Sequence, residues 1–158
     1  MGCTCRCKEA SDMARRLSGY LIIVALLVAL AACSSGAVRA SPALYDQLGG
    51  EQGIAALSDA ALDRYAADPR VAPAFAHADI GRFRRMFAQY LCHVADGPCR
   101  YTGDSMTEVH RGMKISETQF NAVVEDLTAA MTSLHIAVPV QNRLLKRLAS
   151  ERGDVIYK

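Results

Sequence analysis

Apolar residues recur at helical spacing in four stretches of this chain, and no stretch of useful length alternates as a strand would. The stretches cover residues 51–67, 79–94, 116–134 and 139–148. Asp79 is a good N-cap for the second, Ser116 and Gln119 form a capping box at the start of the third, and Pro139 suits the first helical position of the fourth. The pattern predicts an all-α domain of four main helices with short connections.

The first 33 residues have the features of a targeting segment. Arg15 and Arg16 precede an unbroken apolar run over residues 21–32, which at 1.5 Å per residue spans only about 18 Å and is short for a membrane helix. The run ends in Leu30-Ala31-Ala32-Cys33, which resembles a bacterial lipobox. We therefore predict a signal peptide over 1–32, a lipidated Cys33 and tether over 33–42, and a folded domain over 43–158. A plain secretory signal and an uncleaved anchor are the alternatives, and translation starts at either Met1 or Met13.

The charge of the chain gives no reason to expect a nucleic-acid partner. It holds 18 basic and 16 acidic residues, and the net charge of +2 arises within residues 1–32. The remainder carries 14 of each sign, without the basic stripe that phosphate binding needs.

Two of the six cysteines, Cys92 and Cys99, belong to the predicted domain. The segment between them contains Gly97-Pro98, which allows the chain to fold back, and an exported protein matures in an oxidising compartment. These features predict a disulfide, and two unpaired small apolar side chains are the alternative.

A long irregular connection between residues 97 and 116 is the place to look for a site, because such loops in compact domains are usually functional. It contains a short helical piece over 106–111 that carries His110, one of four histidines. The sequence has no C-x-x-C-H motif for covalent haem, no H-E-x-x-H motif and no nucleophile elbow.

From Leu44 to about Leu148 the order of motifs resembles the group I truncated haemoglobins. The resemblance rests on Leu44-Tyr45-Asp46-Gln47-Leu48-Gly49-Gly50, on Tyr101-Thr102-Gly103, and on Met106-Thr107-Glu108-Val109-His110-Arg111-Gly112. It implies a truncated 2-on-2 globin, a helical sandwich around one non-covalent haem b per chain.

The resemblance also implies roles for individual residues. His110 matches the proximal iron ligand, and Phe75 matches the phenylalanine that packs on the haem face. Further haem-lining positions are Phe83, Phe87, Met106, Ile115, Phe120 and Val124, which are equally typical of ordinary core positions. Arg82, Arg85 and Lys114 are the candidate partners of the haem propionates.

The distal side departs from the family pattern. Leu62 occupies the position where many members have a tyrosine that donates a hydrogen bond to bound oxygen, and Phe83, Met86 and Phe87 stand where others carry Gln, Lys or His. This predicts an apolar distal wall. Tyr65 and Tyr90 are the candidates to restore a donor, and Met86 is a candidate sixth ligand.

Reversible binding of oxygen, nitric oxide or carbon monoxide is the function that these features favour. We expect it at the bacterial cell envelope, on a lipid anchor in the outer membrane facing the periplasm. The alternatives are a nitric oxide dioxygenase or peroxidase-like haem enzyme, whose reductase partner is unknown, and a haem-free structural lipoprotein.

Overall fold

The computed structural model describes residues 43–158, which are helical and contain no strand. The α-helices are α1 (Leu44–Gln47), α2 (Gly50–Ala67), α3 (Ile80–Val94), α4 (Met106–His110), α5 (Glu117–Ser133), α6 (Val138–Leu148) and α7 (Arg152–Val155). Two 3₁₀ turns span Ala72–Phe75 and Ala149–Glu151. The predicted all-α class is confirmed. The predicted signal peptide, Cys33 and the tether lie outside the described residues.

The long helices form two layers. Helix α2 packs against both α3 and α5, while α6 packs against α5 and α3. Each of these four helices contributes a fully buried side chain to one core: Leu57, Leu91, Met131 and Leu144. Burying an aliphatic side chain of this size contributes about 1.5–3 kcal/mol, so these contacts dominate the packing of the layers. None of the helices within residues 43–158 is long and apolar enough to cross a membrane.

The predicted helix starts agree with the structure. Asp79 accepts a hydrogen bond from the backbone N–H of Arg82 at 2.9 Å, and the Ser116–Gln119 capping box is formed in both directions. Pro139 lies in the first turn of α6, where its missing N–H leaves no helical bond unmade. These local signals explain why the long helices begin where they do.

The turn between α1 and α2 needs its glycines. Gly49 and Gly50 have φ angles of +94° and +64°, in a region that side chains with a Cβ rarely adopt. Gly53 is needed as well, because a Cβ there would lie 1.9 Å from the carbonyl oxygen of Leu48. The Gly-Gly motif is therefore a steric requirement of this turn.

Three features differ from the helical pattern of the sequence. Helix α5 ends at Ser133, and Leu134 beyond it is exposed. Helix α4 ends at His110 rather than at residue 111. Residues 152–155, which carry no helical signal, form α7 because they pack against α4.

Candidate functional site

His110 is the last residue of the one-turn helix α4, which Ser105 caps by accepting a hydrogen bond from the N–H of Glu108. Its Nδ1 donates a hydrogen bond to the carbonyl oxygen of Met106 at 2.8 Å. A proton on Nδ1 leaves Nε2 with a free lone pair, which is the form in which histidine binds a metal. The half-buried imidazole is therefore fixed in orientation and in tautomer.

An iron porphyrin is the metal group that this donor set fits. The macrocycle supplies four ligands, so the protein needs to add one strong axial ligand and apolar walls. His110 is the residue of this site that would supply it. Ile115, which follows α4, and Leu62 on α2 are both buried, yet neither belongs to the main core cluster. Met106, Phe120 and Val124 are half-buried on the proximal elements.

A cluster of aromatic rings connects α2, the first 3₁₀ turn and α3. Phe75 stacks on Tyr65 with ring centroids 6.0 Å apart and meets Phe83 edge-on at 4.9 Å. Phe83 in turn stacks on Phe87 at 5.4 Å. The three phenylalanines remain only half-buried, so each keeps apolar surface that a flat apolar group would cover.

The distal positions that the resemblance singled out are hydrocarbon or thioether in character. Leu62 is buried and Met86 is half-buried, on α2 and α3 respectively. Neither side chain has an N–H or O–H group to offer a bound gas.

The two candidate tyrosine donors lie in different surroundings. Tyr65 is buried, and its pKa is raised first by that burial and then by the charge of Asp126. Tyr90 meets Tyr101, in the loop before α4, with ring centroids 5.4 Å apart. Burial, followed by the charge of Glu151, raises the pKa of Tyr90 to about 12. Both hydroxyls therefore stay protonated at neutral pH.

Three contacts link the loop before α4 to helix α3. A disulfide joins Cys92 to Cys99 with Cα atoms 5.8 Å apart, and the hydroxyl of Thr102 donates to Gln89 at 3.2 Å. Together with the Tyr90–Tyr101 contact, these links fix the path of the chain into the helix that carries His110.

Of the candidate propionate partners, Arg82 lies 3.8 Å from Asp104. Arg85 and Lys114 are exposed, and neither has a salt bridge with another residue of the described part of the chain. The remaining histidines, His77, His93 and His135, are all exposed and none lies on the proximal segment.

A helical domain with one oriented imidazole and a half-buried aromatic cluster has the fold and the kinds of residue that a haem globin needs. The family model described as Bacterial-like globin matches residues 43–156. The chain is 30% identical to the group 1 truncated hemoglobin of Tetrahymena pyriformis over 73% of this chain and 95% of that protein. It is 29% identical to the group 1 truncated hemoglobin GlbN of a Nostoc species over 73% of this chain and 98% of that protein.

Solved structures agree with these sequence matches. The crystal structure of the truncated hemoglobin from Tetrahymena pyriformis in its Fe(III) form superposes with a TM-score of 0.71, covering 73% of this chain and 98% of that one. The chain therefore belongs to the bacterial-like globin family and is a truncated haemoglobin. The predicted family and fold are confirmed, and so is the prediction of a haem globin that binds gas.

Proposed function

We propose that this protein binds oxygen or another diatomic gas reversibly at one non-covalent haem b, at the envelope of a bacterial cell. The observation that carries the proposal is the hydrogen bond from His110 Nδ1 to Met106 O, which leaves the lone pair of Nε2 free to bind an iron. When bound, haem would supply the ferrous iron that takes up the gas. The residues of the chain would hold the haem and form the surroundings of the gas.

Residues from several elements would hold the cofactor. His110 would bind the iron, while Phe75, Phe83 and Phe87 would provide apolar contacts to the macrocycle. Arg85 and Lys114 are exposed cations suited to propionates. Their contribution is small because exposed ion pairs are worth about 0–1 kcal/mol.

We propose that the haem attachment is non-covalent, and the state of the cysteines supports this. Both cysteines within residues 43–158 form the disulfide, so neither offers a thiol for a thioether bond to haem. A cyanobacterial relative of the same fold, 21% identical to this chain, does carry covalently attached haem. Acidic organic extraction followed by mass spectrometry distinguishes the two states. We expect all haem in the organic phase and a polypeptide of unmodified mass.

The distal side favours reversible binding over oxygen chemistry. A hydrogen bond to the negatively polarised bound gas contributes about 1.5–3 kcal/mol, so a wall without a donor releases oxygen roughly 10- to 150-fold faster. Dioxygenation of nitric oxide needs tightly held oxygen and a supply of electrons. The apolar residues Leu62, Phe83 and Phe87 therefore support the gas binder over the dioxygenase.

The experiment that tests this choice is repeated gassing of the ferrous protein, followed by turnover with nitric oxide. We expect the visible spectrum to return after each cycle of air and argon. With a chemical reductant and excess nitric oxide, we expect no sustained formation of nitrate. Continuous nitrate production at rates well above that of free haem would establish the dioxygenase instead.

The location at the envelope rests on the lipobox-like sequence before Cys33. We propose that Cys33 is acylated and that residues 34–42 tether the globin at the outer membrane, facing the periplasm. Three acyl chains exceed the two signals that stable anchoring needs. Mass spectrometry of the mature protein should find lipid on Cys33, and Cys33→Ser should release the protein into the soluble fraction. An unmodified Cys33 in the mature chain would refute the anchor.

A further inference from the structure

We propose that the C-terminal segment, residues 152–158, positions the proximal histidine by holding helix α4. The inference rests on the proposed haem ligation by His110. It adds the set of contacts that fixes the position of this histidine. The residues assigned to this role are Thr107 and Asp154, with Arg152 as a second attachment; all three are positioning residues.

The residues of helix α4 are not sufficient by themselves to fix its position. It is five residues long, and a helix of one turn is unstable in isolation because nucleation costs more than its few hydrogen bonds return. None of its five side chains belongs to the core cluster or packs against it. Its main tertiary partner is α7, the helix within the C-terminal segment. The position of His110 therefore depends on that segment.

Side-chain contacts join the two elements directly. The hydroxyl of Thr107 donates to Asp154 Oδ1 at 2.8 Å, across 47 residues of sequence. Arg152 donates to Glu117 Oε1 at 2.8 Å, and its guanidinium lies 5.9 Å from the ring centroid of Phe120. The C-terminal segment thus contacts both α4 and the first turn of α5, which carries a proximal lining residue.

Backbone contacts complete the attachment just beyond α4. The N–H of Lys114 donates to the carbonyl oxygen of Lys158, and the N–H of Tyr157 donates to the carbonyl oxygen of Ile115, both at 3.0 Å. Lys114 and Tyr157 have φ angles of +52° and +54°. Non-glycine residues adopt this region uncommonly, and here both lie at the backbone pairing between the two segments.

The test compares Thr107→Val, which removes the hydroxyl at constant shape, with Thr107→Ser, which keeps it. Asp154→Ala and Asp154→Asn form the second pair, since the amide oxygen of Asn still accepts. Asp59→Ala is the matched control, because it removes an equally exposed contact, that with Arg84 at 3.0 Å, away from the proximal side.

Three quantities are measured on each full-length protein: the rate of haem transfer to an excess acceptor globin, the iron–histidine stretching band of the ferrous protein, and hydrogen exchange at the Val109 amide in the haem-free protein. Thr107→Val and Asp154→Ala should each speed haem loss about threefold to fivefold, the effect of one hydrogen bond. They should also shift or broaden the stretching band and speed Val109 exchange. Deleting residues 152–158 should exceed the effect of either substitution.

The conservative variants and the control should match the wild type in all three measurements. Equal haem loss, an unchanged stretching band and unchanged Val109 exchange in Thr107→Val and Asp154→Ala would overturn the proposal. Wild-type protein that fails to retain haem would instead refute the proposed function, while the exchange of Val109 in the haem-free variants would still decide whether the segment holds α4.

Discussion

The distal and proximal sides of the site are built in opposite ways. The distal wall consists of apolar side chains on two long helices that also form the core, Leu62 on α2 and Phe83 and Phe87 on α3. The proximal side rests on the one-turn helix α4, which is held by hydrogen bonds and by a distant segment of chain. The long helices thus set the shape and polarity of the proposed distal wall, while polar contacts outside the core set the orientation of His110, the proposed iron ligand.

Replacing the proximal ligand tests that side most severely. His110→Ala should speed haem loss more than about 100-fold, because losing only the hydrogen-bond partner of a metal ligand already costs roughly 10- to 100-fold. The measurement is haem transfer to an acceptor globin, with and without added imidazole, which should restore part of the binding. His77→Ala, His93→Ala and His135→Ala are matched controls on exposed histidines. Unchanged retention and spectrum in His110→Ala would disprove the ligand assignment.

Removing a ring from the cluster of aromatic rings should have the next largest effect. Phe75→Ala deletes the contacts with Tyr65 and Phe83 and leaves a void, so we expect a loss of about 2 kcal/mol, below the 3–5 kcal/mol typical of fully buried phenylalanine. Urea unfolding of the haem-free protein measures it. Phe75→Leu, which fills much of the space, should recover more than half. Equal stability of Phe75→Ala and wild type would show that the cluster contributes no packing energy.

Opening the disulfide tests how the loop before α4 is held. Replacing Cys92 and Cys99 together by alanine should lower the free energy of unfolding by at most about 2.5 kcal/mol, because the closed loop is short. The unfolding midpoint in urea is measured with and without a reductant. The reductant should lower the wild-type midpoint toward that of the double variant and leave the variant unchanged. A wild type indifferent to reductant, with both thiols recovered free, would refute the bridge.

The smallest effect should come from Asp126, whose charge acts on Tyr65 in the aromatic cluster. Its Oδ2 is buried and has no hydrogen-bond partner within residues 43–158, and burial, followed by the charge of Asp68, raises the pKa of its carboxyl. A raised pKa means that this group favours the fold while protonated and that the benefit is lost as pH rises through the raised value. Asp126→Asn should therefore raise the melting temperature by about 2 °C at pH 7 and by nothing below about pH 4. A gain of equal size at both pH values would contradict this account.

The sequence predicted the features that depend on nearby residues. The long helices follow from apolar periodicity, and their starts follow from caps at Asp79 and Ser116, because each signal acts within one or two turns. The end of helix α5 at Leu134 was predicted wrongly. Leu134 continues the apolar spacing, but the helix stops one residue before it and leaves it exposed.

The C-terminal segment was beyond prediction for a physical reason. Residues 152–155 have no apolar face of their own and fold against α4 through contacts such as Thr107 to Asp154. No pattern within seven residues encodes a hydrogen bond across 47 positions. The bond from His110 to Met106 is local, and the i to i−4 spacing within one turn allows it, but only the structure shows that it forms.

The most direct test of the contrast between the two sides is the rate at which oxygen leaves the ferrous protein, measured by stopped flow for wild type, Leu62→Tyr and Tyr90→Phe, with carbon monoxide in parallel. The account predicts fast release from wild type and from Tyr90→Phe. It also predicts release about tenfold slower from Leu62→Tyr, as one added hydrogen bond of about 1.4 kcal/mol implies, with a much smaller change for carbon monoxide. Slow release from wild type that Tyr90→Phe accelerates would contradict it and would make Tyr90 the distal donor.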